Sequence, residues 1–390
     1  MTNKIAIGRE QEIFLVKETT KGTLVPPAAS NYVIAAGMGS INQQPSFTDS
    51  PEVKSSRGIM DRFRDRTPAG TWSFPTLVRP SGSLGTAPQE DTLWECHLGT
   101  KTENASTSVV YTPAKEKPSF SLWFKKDHTV FNASGGSVGA VKASLQTKGG
   151  MQLDWNGKFM QLGWAGTGTV DATEPITETE ILTDDARKFT VGSLVEFELA
   201  DGTVYNNSDA GYEVTARNVS TNVVTITDGA SGGLEAEIAS GSTIRGWLPT
   251  GTKVGVPLES RKGYAQIDGS SIPVRSMDLT INDDPSYLED EITTSGYPEE
   301  YAEGQRSLDG NISVYFREDD VSYWYDGMES DEKALKMICG DTAGDIIELS
   351  MAKTIFNVPS MAEADPTVAL DMPYKALETS GDDEITVTYK

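Results

Sequence analysis

The side chains that most often carry catalysis are sparse in this sequence of 390 residues. It contains two histidines, His97 and His128, and neither has a cysteine or a second histidine at the spacing of a zinc or iron ligand set. The two cysteines, Cys96 and Cys339, lie in apolar segments that read as helical, and we expect both to be buried free thiols. No nucleophile elbow, Walker-type phosphate loop or dinucleotide-binding glycine motif is present. We therefore expect no enzyme activity, no metal and no cofactor.

Carboxylates are the abundant reactive group, so an acid–base pair among them stays open. Glycosidases place two carboxyl groups about 5–10 Å apart, and a linear sequence does not give that separation. Clustered aspartates can also bind calcium, but the spacing of an EF-hand loop is absent. A solvated acidic surface is the commoner role of such residues. The candidates for an acid–base pair are Asp283, Asp284, Glu289, Glu291, Asp319 and Asp320.

Composition bounds the class of protein. The formal net charge of −24 argues against ordinary nucleic-acid binding, because affinity for phosphates comes from lysine and arginine. The 37 glycines and 19 prolines favour a turn-rich β protein, and the length allows two domains. The first residues lack the apolar core of a signal peptide, and no segment approaches the roughly 20 apolar residues of a membrane span. We expect folding in a reducing cytoplasm.

Two segments carry the clearest β pattern. In Arg306–Glu318 apolar side chains alternate with polar ones, and Ile272–Asp283 repeats the pattern. Because successive side chains on a strand point to opposite faces, each segment predicts a strand with one buried and one polar face. The two strands should pair in an antiparallel sheet whose polar face meets water or a partner. The residues expected on that polar face are Asp278, Thr280, Asn311 and Ser313.

Segments closer to the N-terminus predict further strands and one helix. Strands are expected over Glu12–Lys17, Asn31–Gln43 and Gly70–Arg79. A helix is expected over Ala87–Gly99, because acidic residues fall in its first turn and Gly99 occupies the position that ends many helices.

Two more segments complete the predicted framework. A meander of strands spans residues 120–157, in which Asn156 and Gly157 indicate a tight hairpin or a bulge. An acidic start and spaced apolar side chains predict a helix over residues 318–338, interrupted at Gly327.

The composition changes at residue 167. Residues 167–256 are rich in Thr, Gly, Ser and acidic side chains, with short strand-like runs separated by turns every 8–12 residues. From Lys262 onward the chain again resembles its first 166 residues, with longer alternating segments. We therefore expect residues 167–256 to form a small β-barrel or sandwich inserted into a domain made of residues 1–166 and 257–390.

A long basic connection joins two of the predicted strands. It spans Gln44–Arg66, and connections longer than about 12–15 residues are usually functional or disordered. It holds the chain's one concentration of basic charge, with two apolar side chains between the arginines. Its predicted contact residues are Lys54, Arg57, Met60, Arg62, Phe63, Arg64 and Arg66.

The order of these elements resembles that of the tail tube proteins, or major tail proteins, of long-tailed bacteriophages. Three segments carry the resemblance: TWSFPTLVRPSGSLGTAPQEDTLWECHLG, SFSLWF with VGAVKASLQTKGGMQLDW, and SMDLTIND with GNISVYF. Together they cover most of residues 1–166 and 262–390, whereas the inserted segment lies outside.

The resemblance implies a mainly β fold, a β-sandwich of two packed antiparallel sheets with flanking short helices. It implies a structural virion protein that assembles in the host cytoplasm into stacked homohexameric rings, through which DNA passes from capsid to host without specific binding. Implied partners are the tape measure protein, the tail terminator and the distal tail or baseplate proteins. On this reading the polar sheet face lines the channel, the basic connection joins one ring to the next, and the insertion lies outside the tube.

Two other classes of protein stay open on the residues alone. One is a virion surface or adhesin protein whose exposed Trp and Tyr stack on host carbohydrate. The other, less favoured, is a metal-free β-sandwich glycoside hydrolase.

Overall fold

The computed structural model describes residues 7–55, 57–227, 232–292, 294–364 and 366–390. Residues 1–6 of the expected first domain and residues 228–231 of the expected insertion lie outside the described residues. The protein is mainly β, with 47% of residues in strands and 8% in helices, which confirms the predicted fold class.

The N-terminal part of the chain folds into twelve of the described strands and one α-helix. The helix, α1, spans Asp91–Leu98. The strands are β1 Gln11–Lys17, β2 Tyr32–Val33, β3 Ser40–Asn42, β4 Phe47–Asp49, β5 Arg62–Arg64, β6 Gly70–Leu77, β7 Gly99–Asn104, β8 Ser108–Pro113, β9 Phe120–Lys126, β10 Thr129–Gln146, β11 Gln152–Phe159 and β12 Gln161–Ala165.

The middle of the chain supplies short strands. They are β13 Thr167–Thr169, β14 Glu180–Leu182, β15 Leu194–Glu198, β16 Val204–Tyr205, β17 Tyr212–Asn218, β18 Val223–Ile226 and β19 Thr243–Gly246.

The C-terminal part returns to longer strands. A second helix, α2, spans Ser322–Glu329. The strands are β20 Gly263–Ile267, β21 Ser270–Ile272, β22 Ser276–Asn282, β23 Ser286–Tyr287, β24 Tyr301–Ala302, β25 Ser307–Tyr315, β26 Glu332–Cys339, β27 Ile347–Phe356, β28 Ser360–Ala364, β29 Thr367–Ala376 and β30 Thr386–Tyr389. Single-turn 3-10 helices lie at Ala29–Asn31, Ala186–Lys188, Ser260–Lys262 and Glu318–Val321.

One broad antiparallel sheet dominates the fold. Its strand order is β3-β6-β11-β10-β22-β25-β29-β28. The predicted pairing at its centre is confirmed, since Met277 lies opposite Ile312 and Asp278 opposite Asn311. Met277, Leu279 and Ile281 are buried while Ser276, Asp278 and Thr280 are only half-buried, so this part of the sheet has one core face and one polar face.

A second layer covers the core face. It contains β2-β1-β9 with the first half of β10 and β12, and β7-β8-β30-β27-β26-β20-β21. Trp72 of the broad sheet meets Phe120 of β9 edge to face, with ring centroids 5.5 Å apart. The arrangement is a sandwich whose apolar core lies between the layers.

Strand β10 belongs to both layers. Its residues up to Gly136 pair with β9, and its residues from Ser137 pair with β11. The register shifts between Ala133 and Gly136, where Gly135 has a φ of +64°. A Cβ at Gly135 would lie 2.3 Å from Met160 Sδ, so both the backbone conformation and the close approach require glycine.

Helix α1 closes one side of the core. The prediction of a helix here is confirmed, and the chain leaves it at Gly99 with a φ of +105°. Trp94 packs edge to face on Trp155, with centroids 4.9 Å apart. Its indole Nε1 donates to the Tyr389 hydroxyl at 3.0 Å, which ties the helix to the last strand.

Two sequence-based expectations are wrong, and a third is right only in its bulge alternative. The segment Asn31–Gln43 is not one strand, since β2 and β3 are separated where Gly37 packs against Pro75 and Gly39 against Phe124. Residues 332–338 are strand rather than helix. The reason is tertiary, because β26 lies between β20 and β27 and buries Leu335, Met337 and Cys339 at period two.

The third concerns Asn156 and Gly157. They do not form a hairpin, since both lie inside β11. The irregularity lies opposite them, on β10 between Val138 and Ala140. Cys339 is likewise in a strand, and both cysteines are buried free thiols as expected.

Residues 167–246 form a sheet of their own. Its order is β13-β19-β15-β17-β18-β14, with β16 pairing β15. Its apolar core includes Phe189, Phe197 and Ile244. The chain enters and leaves at one point, because Gly246 N donates to Gly166 O at 3.0 Å. A smaller apolar cluster that includes Leu194, Trp247, Phe14 and Trp123 joins this sheet to the sandwich.

Candidate functional site

The polar face of the broad sheet gathers the side chains that the sequence placed there. Asn311 N donates to Asp278 Oδ1 at 3.2 Å. Thr280 lies opposite Asp309, and Ser313 lies opposite Ser276. The strand register therefore brings Asp278, Thr280, Asn311 and Ser313 together on two neighbouring strands.

Lysines share this face with the acids. A row of directly opposed residues crosses five strands in the order Asp154, Lys142, Thr280, Asp309 and Lys375. Opposite charges on facing strands attract, so the row stabilises the register.

Each of the three lysines on or beside this face lies near an aspartate. Lys142 Nζ is 3.6 Å from Asp278 Oδ2, and Lys375 Nζ is 3.9 Å from Asp309 Oδ1. At the end of the sheet, Lys158 Nζ is 3.0 Å from Asp284 Oδ1. The face is therefore charge-compensated rather than uniformly acidic. Alternation within residues 141–146 already placed Lys142 away from the core, but sequence alone did not show its partners.

The basic connection is a β-hairpin that projects from the sandwich, and we name residues 44–66 the arm. Strands β4 and β5 pair with each other, Phe47 opposite Arg64 and Asp49 opposite Arg62. All six residues of the two strands are exposed. A two-stranded ribbon with both faces in solvent has little stability of its own.

The side chains of the arm divide into a base that contacts the rest of the chain and an outer part in which Arg62 Nε is 3.5 Å from Asp49 Oδ1. At the base, the Arg66 guanidinium donates to Tyr297 O and Arg64 Nη2 donates to Thr67 Oγ1 at 3.1 Å. Further out, the Arg62 guanidinium lies 4.9 Å from the centroid of the Phe47 ring. The remaining predicted contact residues are exposed, namely Lys54, Arg57, Met60 and Phe63.

The outer part of the arm combines apolar side chains with charges of both signs, since Lys54, Arg57 and Arg62 lie among Asp49, Glu52 and Asp61. Val53, Ile59, Met60 and Phe63 are large apolar side chains left in solvent. Exposed apolar groups clustered with charge are typical of an interaction surface.

A buried charge cluster lies where the broad sheet meets the second layer. Lys117 forms an ion pair with Asp283, and Lys117 Nζ is also 3.2 Å from Glu303 Oε2. Arg306 Nη1 donates to Glu384 Oε1 at 2.9 Å. A cleft of about 750 Å³ opens over these side chains. Because each charge has an opposite partner, the cluster is a structural network.

Two buried groups near α1 have displaced pKa values. Burial, and then the charges of Lys117 and Arg306, lower the pKa of His97 to about 3, while the carbonyls of Val138 and Ile281 act in the opposite direction. Burial raises the pKa of Glu90 to about 8. Near neutral pH the His97 imidazole is therefore uncharged. It is completely buried and packs edge to face on Trp155.

Four of the six candidate acid–base carboxylates hold structural positions. Asp283 is in the buried cluster and Asp284 pairs with Lys158. Glu289 Oε1 accepts from Ala69 N at 2.9 Å, and Asp320 Oδ2 accepts from Arg317 N at 2.8 Å. Glu291 lies in the loop between β23 and β24, away from the cleft lining.

The structure gives little support for a metal site, a membrane-spanning helix or a carbohydrate-binding surface built on tryptophans. Within the described ranges, no group of three or more His, Cys, Asp and Glu side chains could hold a metal ion. No helix of the described chain combines the length and apolar character of a membrane span. Four of the seven tryptophans, at positions 72, 94, 123 and 155, are fully buried and cannot stack on a carbohydrate.

Comparison with known proteins gives one match. A family model described as phage tail tube protein matches residues 8–390, which confirms the resemblance inferred from the sequence. The matched range includes residues 167–256, which that resemblance did not cover. No curated protein matches the chain significantly. The chain belongs to the phage tail tube protein family and is a structural protein of the virion tail.

Proposed function

We propose that the protein is a non-enzymatic tube subunit that forms hexameric rings, and that stacked rings make a conduit for DNA from the capsid into the host cell. The ring number and the DNA path rest on the family. The observation that carries the proposal is the broad sheet, which has one core face, one polar face and two open edges.

The open edges supply a means of ring closure. Strand β3 pairs only with β6, and β28 pairs only with β29, among the strands of this sheet that the structure describes. An unpaired edge exposes backbone N–H and C=O groups that another strand can satisfy. If the β3 edge of one subunit faces the β28 edge of the next, a closed ring continues the sheet around a channel.

The polar face suits a channel wall. Asp278, Thr280, Asn311 and Ser313 would lie on it, with Ser313 only 6% exposed in the single subunit, and the lysines among them are paired with aspartates. Lysines held in ion pairs offer little to phosphates, while the surplus of carboxylates repels them over a screening length of about 8 Å at physiological salt. DNA would pass without being retained.

The arm suits the joint between rings. In a chain of net charge −24, stacked rings repel one another unless basic groups lie between them. Exposed ion pairs contribute only about 0.2–1 kcal/mol each, but several per subunit repeated around a ring stabilise the stack. The residues proposed for this contact remain Lys54, Arg57, Met60, Arg62, Phe63, Arg64 and Arg66, with Arg66 fixing the base.

The sheet of residues 167–246 is proposed to lie outside the tube. Its contacts with the sandwich lie near the point where the chain enters and leaves it, at the apolar cluster with Trp247 and at β12, where Trp164 Nε1 donates to Arg187 O, so it can occupy the outer surface without entering the ring contacts. The tape measure protein, tail terminator and distal tail or baseplate proteins are the proposed partners, with assembly in the host cytoplasm.

Negative-stain electron microscopy of the purified protein tests the proposal. Rings of six subunits with a central channel, and tubes built from them, are the expected result. Discrete monomers at high concentration would overturn it. Monomers that bind or cleave glycans would instead favour the adhesin or hydrolase class.

A further inference from the structure

An unpartnered apolar stripe lies on helix α2. Val321, Tyr325 and Met328 follow one another at intervals of four and three residues, so they share one side of the helix. Tyr325 and Met328 are 65% and 70% exposed. The opposite side holds Tyr323 and Trp324, which pack against the core. The stripe is therefore a surface feature and not part of the interior.

More exposed apolar side chains lie beside the stripe. A Cβ at Gly327 would lie 2.9 Å from the backbone of Val358, so α2 packs directly on the start of the β28 hairpin. Val358, Met361 and Val368 of that region are exposed. We name the surface formed by the following residues the α2 patch: Val321, Tyr325, Met328, Val358, Met361 and Val368.

Acidic residues surround the α2 patch. Residues 318–332 contain seven carboxylates and no lysine or arginine. Within the chain that the structure describes, Glu318, Asp319 and Glu329 form no ion pair. The patch thus combines exposed apolar side chains with uncompensated negative charge, whereas the arm combines exposed apolar side chains with five basic and four acidic side chains.

The arm and the α2 patch lie at opposite ends of the broad sheet. The arm leads into Gly70, which is opposite Phe159, and the register places this end of β6 level with Asn282 and Ser307. Strand β25 runs from Ser307 to Tyr315, and α2 follows its far end. Nine residues of strand span roughly 30 Å. One subunit therefore presents the arm at one end and the patch at the other.

We infer that the α2 patch receives the arm of a second copy of this chain in the adjacent ring. Two different surfaces at opposite ends make a head-to-tail contact, which repeats without closing and builds a stack. Opposite charge orients the arm, and its Met60 and Phe63 cover Tyr325 and Met328. This inference rests on the proposed tube, and it identifies the surface that the joint between rings uses.

Cross-linking tests the contact directly. Protein carrying Met60→Cys is mixed with protein carrying Met328→Cys and treated with a short bis-maleimide, the native Cys96 and Cys339 being buried. A covalent dimer is expected in assembled tubes. Met328→Cys mixed with Val219→Cys, an exposed position in residues 167–246, is the control and should give none.

Substitution tests the role of the contact. Tyr325→Asp with Met328→Asp should abolish tubes while rings persist, whereas the matched pair Val204→Asp with Val219→Asp should leave tubes normal. Glu318→Lys with Asp319→Lys should also prevent stacking, and adding Arg62→Glu and Arg64→Glu to the same chain should restore it. Circular dichroism and the thermal midpoint verify folding.

The outcomes separate this inference from the proposed function. Normal tubes from the Tyr325 and Met328 variant, or tubes in which Met60→Cys does not cross-link to Met328→Cys, would overturn the inference and leave the tube intact. Loss of the rings themselves by a folded variant would show that the patch is a contact within a ring, and also overturns it. A wild-type protein that forms no rings would instead overturn the proposed function.

Discussion

Lys117 and Asp283 form an ion pair in which both side chains are almost completely buried, at 4% and 2% exposure. Such a pair is costly to desolvate, and removing Lys117 leaves the buried Asp283 carboxylate with Arg306 Nε, 3.8 Å away, as its nearest cation.

Replacing Lys117 by Met should therefore lower the free energy of unfolding by about 3–5 kcal/mol. Lys158→Met is the matched control, because Lys158 and Asp284 are 36% and 74% exposed, and it should cost less than about 1 kcal/mol. Urea unfolding of the two variants measures the difference. Equal effects would contradict the assignment of Lys117 to the buried network.

Glu90 should make stability depend on pH. Its pKa is raised from 4.5 to about 8 by burial, so between these values the folded state holds a proton that the unfolded state has lost. The contribution of Glu90 to stability is complete below pH 4.5 and falls as pH rises to about 8, by at most about 1.4 kcal/mol per pH unit. Glu90→Gln should remove this slope, because the amide oxygen can still accept from Arg79 N. The prediction is tested by measuring the free energy of unfolding from pH 4.5 to 8 for the wild type and for Glu90→Gln. Glu116→Gln, at an exposed position, is the control.

The arm should affect stacking but not folding. Arg62→Glu with Arg64→Glu reverses two exposed charges, a kind of change that usually alters stability by less than about 0.5 kcal/mol. Tubes should be short or absent, while the thermal midpoint stays near that of the wild type. The control reverses Arg187 and Lys253, which lie away from the arm. Tubes of ordinary length from the arm variant at ordinary salt would show that the arm is not the joint.

The aspartates of the polar face should prevent DNA binding. Asp278→Asn with Asp309→Asn removes the carboxylates that lie within 4 Å of Lys142 and Lys375. The variant should bind duplex DNA at low salt, with log affinity falling by about 0.9 per neutralised phosphate for each tenfold rise in salt. Gel mobility shift compares it with the wild type and with Asp171→Asn plus Asp201→Asn, which make the same charge change elsewhere. Equal DNA binding by the control would show that the change in net charge, and not the position of the aspartates on the polar face, determines DNA binding.

Residues 167–246 should be dispensable for assembly. Gly166 and Gly246 are hydrogen-bonded at 3.0 Å, so a short Gly/Ser linker can replace the residues between Gly166 and Trp247. Tubes should form, with reduced thermal stability because Leu194 no longer covers Trp123 and its neighbours. Microscopy and a melting curve provide the two readings. A folded deletion protein that does not assemble would place this sheet in the ring contacts.

Local patterns in the sequence predicted those features that depend on the residues of a single element, such as which face of a strand is buried or where a helix ends. The alternation in β22 and β25 determined their faces, and Gly99 marked the end of α1. Where structure depends on distant neighbours, the same reasoning failed. Residues 332–338 have a helical composition but become a strand because β20 and β27 flank them.

The candidate surfaces also divide into features that local sequence predicts and features that depend on distant residues. The four polar residues could be assigned to one face because a strand alternates at period two. The pairing of Asp278 with Lys142, and of the neighbouring Asp309 with Lys375, could not be predicted, because those lysines come from strands that are far away in sequence. The α2 patch was also missed, since it combines residues of α2 with Val358, Met361 and Val368, which only the folded chain brings beside the helix.

The sharing of β10 between both layers has a mechanical consequence. A continuous covalent strand cannot let one layer slide over the other without breaking hydrogen bonds along its whole length. Under a bending or stretching load, each subunit should therefore behave as a stiff block. If the arms join successive rings as proposed, a filament of such blocks would bend at the arms, and the channel of each ring would keep its diameter.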